Sequence, residues 1–129
     1  MARILVVDDD ESDRTLCRTI LEEGGHQLLF APNGETALRI YRGQDVDLVI
    51  TDLAMPQLNG LRLIEEIIAH DGNALVIAVT GVSPEQLERA EAAGAAATLR
   101  KPYTAEVLLG AVATLLAGDV SRPPDDLWR

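Results

Sequence analysis

A chain of 129 residues is one domain's worth of sequence, and its formal net charge of -10 argues against nucleic-acid backbones and anionic membranes as partners. Hydrophobic residues make up 47% but aromatic residues only 3%, so the core has to be assembled from Leu, Val, Ile and Ala. The single Cys17 excludes an internal disulfide and suits a reducing cytoplasm, no apolar run reaches membrane-spanning length, and the four apolar residues after Arg3 are too few for a signal sequence.

Residues 4–7, Ile-Leu-Val-Val, form a continuous apolar run, the mark of a strand buried on both faces. The run stops at Asp8-Asp9-Asp10-Glu11. A helix is predicted over 12–24, with Leu16, Cys17, Ile20 and Leu21 on one stripe and Gly24-Gly25 as its stop. A second strand covers 28–31. Asn33-Gly34 makes the turn into a helix whose apolar face is Ala37, Leu38 and Tyr41 and which ends near Gly43.

The third strand, 47–51, delivers Asp52 where the chain leaves the core, and Pro56 and Gly60 then punctuate a loop. The helix over 61–70 turns Leu61, Leu63, Ile64, Ile67 and Ile68 inward, and a fourth strand covers 75–79. Ser83-Pro84-Glu85-Gln86 reads as a helix start, with Ser as cap, Pro at the first position and Gln closing a capping box; Gly94 stops that helix. A fifth strand of small residues covers 95–99. Thr104 caps a last helix over 105–117, and residues 119–129, with two prolines and no periodicity, read as a flexible tail after a domain spanning 1–118.

Five strands alternating with five helices over short connections require right-handed crossovers and a parallel sheet. The expected fold is a doubly wound, three-layer α/β domain of flavodoxin-like strand order 2-1-3-4-5, in which ligands bind at the carboxyl ends of the strands. Those ends carry Asp8 and Asp9, Asp52, Thr80 and Lys101. Taken singly, each has an ordinary role in a cap or a turn. Together they bring three carboxylates, a hydroxyl and an ammonium to one place. Carboxylates crowded in this way call for a divalent cation that prefers oxygen, with Mg²⁺ the natural choice, and a phosphoryl group would find the ammonium and the hydroxyl beside it. Lys101 is the lone lysine among ten arginines, a compact point charge where every other cation is a planar fork.

On these residues the sequence resembles the receiver domains of two-component response regulators. The matching pieces are Val6-Val7-Asp8-Asp9, Thr51-Asp52-Leu53-Ala54-Met55-Pro56 with Gly60, Val79-Thr80-Gly81, and Lys101-Pro102. The resemblance implies that Asp52 accepts a phosphoryl group from a sensor histidine kinase or a histidine phosphotransfer protein. It implies Mg²⁺ held by Asp9, Asp52 and the Ala54 carbonyl, with Asp8 acting largely through water. Thr80 and Lys101 would hold the phosphoryl oxygens, and the Lys101-Pro102 bond would be cis. The downstream protein target would meet the face made by the fourth helix, the fifth strand and the fifth helix. The implied protein is a cytoplasmic signalling module rather than a turnover enzyme, either standing alone or forming one unit of a longer chain.

Three positions vary within that pattern. Thr98 stands where many relatives carry an aromatic ring, three residues before the Lys. Ala54 and Val82 follow Asp52 and Thr80 by two residues, and neither offers a hydrogen bond to an attacking water, which predicts a slowly decaying phosphorylated state. Asp8-Asp9-Asp10 also contains the Asp-x-Asp of phosphatases resembling the haloacid dehalogenase group. Against that reading, the only late acidic pair is Asp125-Asp126, and Asp52 would be left without a role.

Overall fold

The computed structural model describes residues 2–54, 59–81 and 84–118. Ten elements alternate: β1 (Arg3–Val7), α1 (Glu11–Glu23), β2 (Gln27–Ala31), α2 (Gly34–Gly43), β3 (Leu48–Asp52), α3 (Gly60–His70), β4 (Val76–Thr80), α4 (Pro84–Ala93), β5 (Ala97–Arg100) and α5 (Ala105–Leu116). All strands are parallel, and they lie in the order β2-β1-β3-β4-β5. This is the flavodoxin-like order expected from the alternation. The expected Ser83 cap, the Pro56 loop position, Val82 and the whole 119–129 segment with Trp128 lie outside the described residues.

The apolar runs of β1, β3 and β4 are continuous because helices cover both sides of the sheet. Side chains alternate along a strand, so each run splits into two sets. Ile4, Val6, Leu48, Ile50, Ile77, Val79 and Leu99 pack with Cys17, Ile20 and Leu21 of α1 and Leu108, Ala111 and Val112 of α5. Leu5, Val7, Val49, Val76 and Ala78 pack on the other side with Ala37 of α2, Leu63, Ile64 and Ile67 of α3 and Ala90 of α4. Two cores flank one sheet.

Helix starts follow the sequence closely. Asp10, Asn33, Asn59 and Thr104 each cap a helix by accepting a backbone N–H with the side chain. Strand limits differ from expectation by one or two residues. The clearest case is β5, which begins at Ala97 because the Ala95 N–H still closes α4 on the Ala90 carbonyl. Gly94 takes φ +116° at that stop, a conformation that excludes most side chains.

Gly60 opens α3 against the end of β3. A Cβ at this position would overlap the Asp52 carbonyl oxygen and come within 2.6 Å of the Leu53 Cα, so only glycine allows the approach. The Gly60 N–H donates to the Leu53 carbonyl at 3.2 Å.

Candidate functional site

Strand alternation sorts the residues at the carboxyl edge. Asp8 follows Val6, Asp52 follows Ile50 and Lys101 follows Leu99, so all three continue the face covered by α1 and α5. Thr80 follows Ala78 and continues the opposite face, toward α3 and α4. Pairing of Val7 with Thr51 then sets Asp8 beside Asp52, and the Lys101 N–H donates to the Thr80 carbonyl at 2.9 Å. The Lys101-Pro102 bond is cis, as the resemblance implied.

The lysine ammonium is the hub. Lys101 Nζ donates to Asp52 Oδ2 at 2.9 Å, to Asp13 Oδ2 at 2.7 Å and to Asp8 Oδ2 at 3.5 Å. Asp8, Asp13 and Asp52 each offer a carboxylate oxygen within 4.8 Å of the other two. Backbone donors fix the other oxygens of Asp8 and Asp52: the Asp10 N–H donates to Asp8 Oδ1 at 2.9 Å, and the Ala54 N–H to Asp52 Oδ1 at 3.0 Å. Arg14 Nη1 donates to the Asp8 carbonyl, which braces α1 against the end of β1. Behind the lysine, Cys17 Sγ and the Tyr103 hydroxyl share a hydrogen bond at 3.0 Å. Burial raises the pKa of both groups, so this tie between α1 and the chain after Lys101 is uncharged.

Electrostatics show the strain of crowding. Burial pushes the Asp8 carboxyl up to about 6; the Asp10 N–H and Lys101 oppose that rise, and the charges of Asp52 and Asp13 add to it. Burial disfavours the Lys101 charge, yet hydrogen bonds to Asp13 and Asp52 and the nearby acids outweigh it and raise its pKa. One ammonium faces three carboxylates. A hard oxygen-binding dication matches the remaining negative charge and the donor set.

Of the strand ends singled out by sequence, Asp8, Asp52 and Lys101 stand in one bonded group, and Thr80 is buried at the end of β4, next to β3 in the sheet. Asp9 and Ala54 are exposed at the rim, and Asp9 is outside the cluster of three oxygens. Asp10 is spent on capping α1, accepting from the Ser12 and Asp13 N–H groups, so it does not serve as the second acid of an Asp-x-Asp pair. Asp13 was missed. It sits in the first turn of α1, where an acid is ordinarily explained by the helix dipole. Its signal was redundancy, since Asp10 already capped that turn. On the far side of Thr80, an open groove of about 300 Å³ is lined by Leu53, Ala54, Asn59, Leu61, Gln86 and Arg89.

The sequence matches the family described as the response regulator receiver domain over residues 4–113. The chain belongs to this family. The receiver is 36% identical over 118 residues to the sensory/regulatory protein RpfC of Xanthomonas campestris, covering 88% of this chain but 16% of RpfC. It is 35% identical over 115 residues to the chemotaxis protein CheY of Halobacterium salinarum, covering 88% of this chain and 96% of that one. Its fold matches the response regulator TrrA of Thermotoga maritima, solved in complex with Mg(2+)-BeF, with a TM-score of 0.83 and 35% identity over 89% of this chain and 99% of that one. This receiver is therefore a domain of the two-component signalling type. Among the described residues, no helix is long and apolar enough to cross a membrane.

Proposed function

We propose that the receiver takes a phosphoryl group onto Asp52 from a phosphohistidine of a sensor histidine kinase or a histidine phosphotransfer protein in the cytoplasm. The observation that carries this reading is the ammonium of Lys101 bonded to Asp52 inside a cluster of three acids. A carboxylate oxygen of Asp52 forms the new P–O bond while the P–N bond of the donor breaks. The electron pair stays on the donor imidazole, which takes up a proton from solvent. Asp9 and Asp52, with the Ala54 carbonyl and with Asp8 through water, would hold Mg²⁺, which supplies positive charge to the phosphoryl oxygens. Lys101, already bonded to Asp52, and the Thr80 hydroxyl would together hold the phosphoryl oxygens.

Phosphorylation then biases the face built from α4, β5 and α5 toward the arrangement that a downstream protein recognises, a population shift rather than a rigid relay. Thr98 is buried in β5 and carries no ring, so side-chain rearrangement at this face is smaller than in relatives with an aromatic residue there. Acetyl phosphate with Mg²⁺ is the direct test. Intact-mass measurement is expected to show one added phosphoryl group, slow to decay after donor removal because Ala54 cannot hold an attacking water through its side chain. Asp52→Asn is expected to abolish it. Equal labelling of that variant would remove Asp52 from the role.

A further inference from the structure

We propose that Asp13 is a positioning residue that holds the Lys101 ammonium against α1 and competes for it with the phosphoryl group; this rests on Asp52 being the phosphoacceptor. Asp13 makes the shortest of the three bonds to Nζ, 2.7 Å against 2.9 Å for Asp52 and 3.5 Å for Asp8. Helix capping does not require its carboxylate, because Asp10 accepts the free N–H groups of that turn. An ammonium has three donors, and in this arrangement all three are taken.

A phosphoryl group on Asp52 presents three oxygens, and Lys101 has to turn at least one donor toward them. The donor given to Asp13 is withheld from that task. The Asp13 charge also lies beside the place where the phosphoryl charge arrives. The same charge draws a divalent cation to the cluster. Asp13 therefore acts with opposite sign on two ligands: it strengthens cation binding and weakens the grip on phosphoryl. Its side chain is about one-third exposed, at 34%, so solvent moderates both effects.

The experiment uses the full chain with Asp13→Asn, which keeps shape and removes charge, and Asp13→Glu, which restores charge. Mg²⁺ alone is titrated first, followed by amide shifts. Beryllofluoride, a tetrahedral stand-in for the phosphoryl group, is then titrated at saturating Mg²⁺. In the Asn variant Mg²⁺ binding is expected to weaken about fivefold and beryllofluoride binding to tighten about fivefold, with the Glu variant returning toward wild type on both. A loss of both affinities together, or no change in either, would overturn the proposal and leave Asp13 a structural residue. Failure of the wild-type chain to take up beryllofluoride at all would instead overturn the phosphoacceptor reading.

Discussion

Burying Asp8 beside two other carboxylates costs free energy whenever the group is charged. Its carboxyl titrates near 3.8 in the unfolded chain and at about 6 when folded. Between those values the folded chain binds more protons, so stability falls as pH rises through the window, and above it the penalty is fully present. Asp8→Asn is expected to raise stability by about 2 kcal/mol at about pH 8 without divalent cation, the gain vanishing by about pH 3 to 4. Urea unfolding at the two pH values checks this. An equal gain at both would assign the effect to packing instead of charge. At this scale the sequence exposed Asp8, Asp52, Thr80 and Lys101 because each stands at the carboxyl end of an expected strand. Asp13 stayed hidden because its role depends on how α1 leans over the strand ends, which no local pattern records.

Among elements, α5 carries two opposed local signals. Thr104 accepts the Val107 N–H at 3.1 Å and anchors the first turn just after Lys101-Pro102, whereas Gly110 sits exposed in mid-helix with nothing within 4 Å of a Cβ there. Thr104→Ala is expected to cost about 1 kcal/mol and Gly110→Ala to add about 0.5 to 1 kcal/mol. The two sites are two turns apart and share no contact, so the double variant should lie near neutral by denaturant midpoint. A stabilising Thr104→Ala would show that tertiary packing alone sets the start of α5. All ten elements were legible from periodicity and punctuation. Helix bounds were legible to within a residue, whereas strand bounds shifted by one or two, since the last hydrogen bonds at a boundary depend on neighbours, as when Ala95 closes α4 and delays β5.

For the molecule as a whole, alternation of strands and helices over short crossovers of fixed hand narrowed the sheet to the common doubly wound orders, and the size of the chain favoured 2-1-3-4-5 among them. What the order of elements did not announce is that Thr80 continues a different sheet face from the Asp8, Asp52 and Lys101 group. It follows from counting residues by twos along β4 and β5, which puts Thr80 and Lys101 on opposite faces. Charge also acts at this scale. With a net charge of -10, the compact chain repels itself more than the unfolded one. Raising ionic strength from about 0.01 to about 0.15 M cuts the screening length from about 30 to about 8 Å and is expected to stabilise the fold by about 1 kcal/mol. MgCl₂ at matched ionic strength should add a further increment that shrinks in Asp52→Asn. Equal stability in the two salts would mean that the acid cluster binds no dication.

The close approach of Gly60 to the Asp52 carbonyl has a mechanical consequence. Where two backbones touch without an intervening side chain, no rotamer can turn to absorb a displacement. The start of α3 is further held by Leu63, Ile64 and Ile67, all fully enclosed. That flank is an abutment, stiff and shared with the strand that bears Asp52. Any push generated at the carboxylate meets no give on the α3 side. The rotatable part of the cluster lies across from that flank, in the long Lys101 side chain that bonds Asp52.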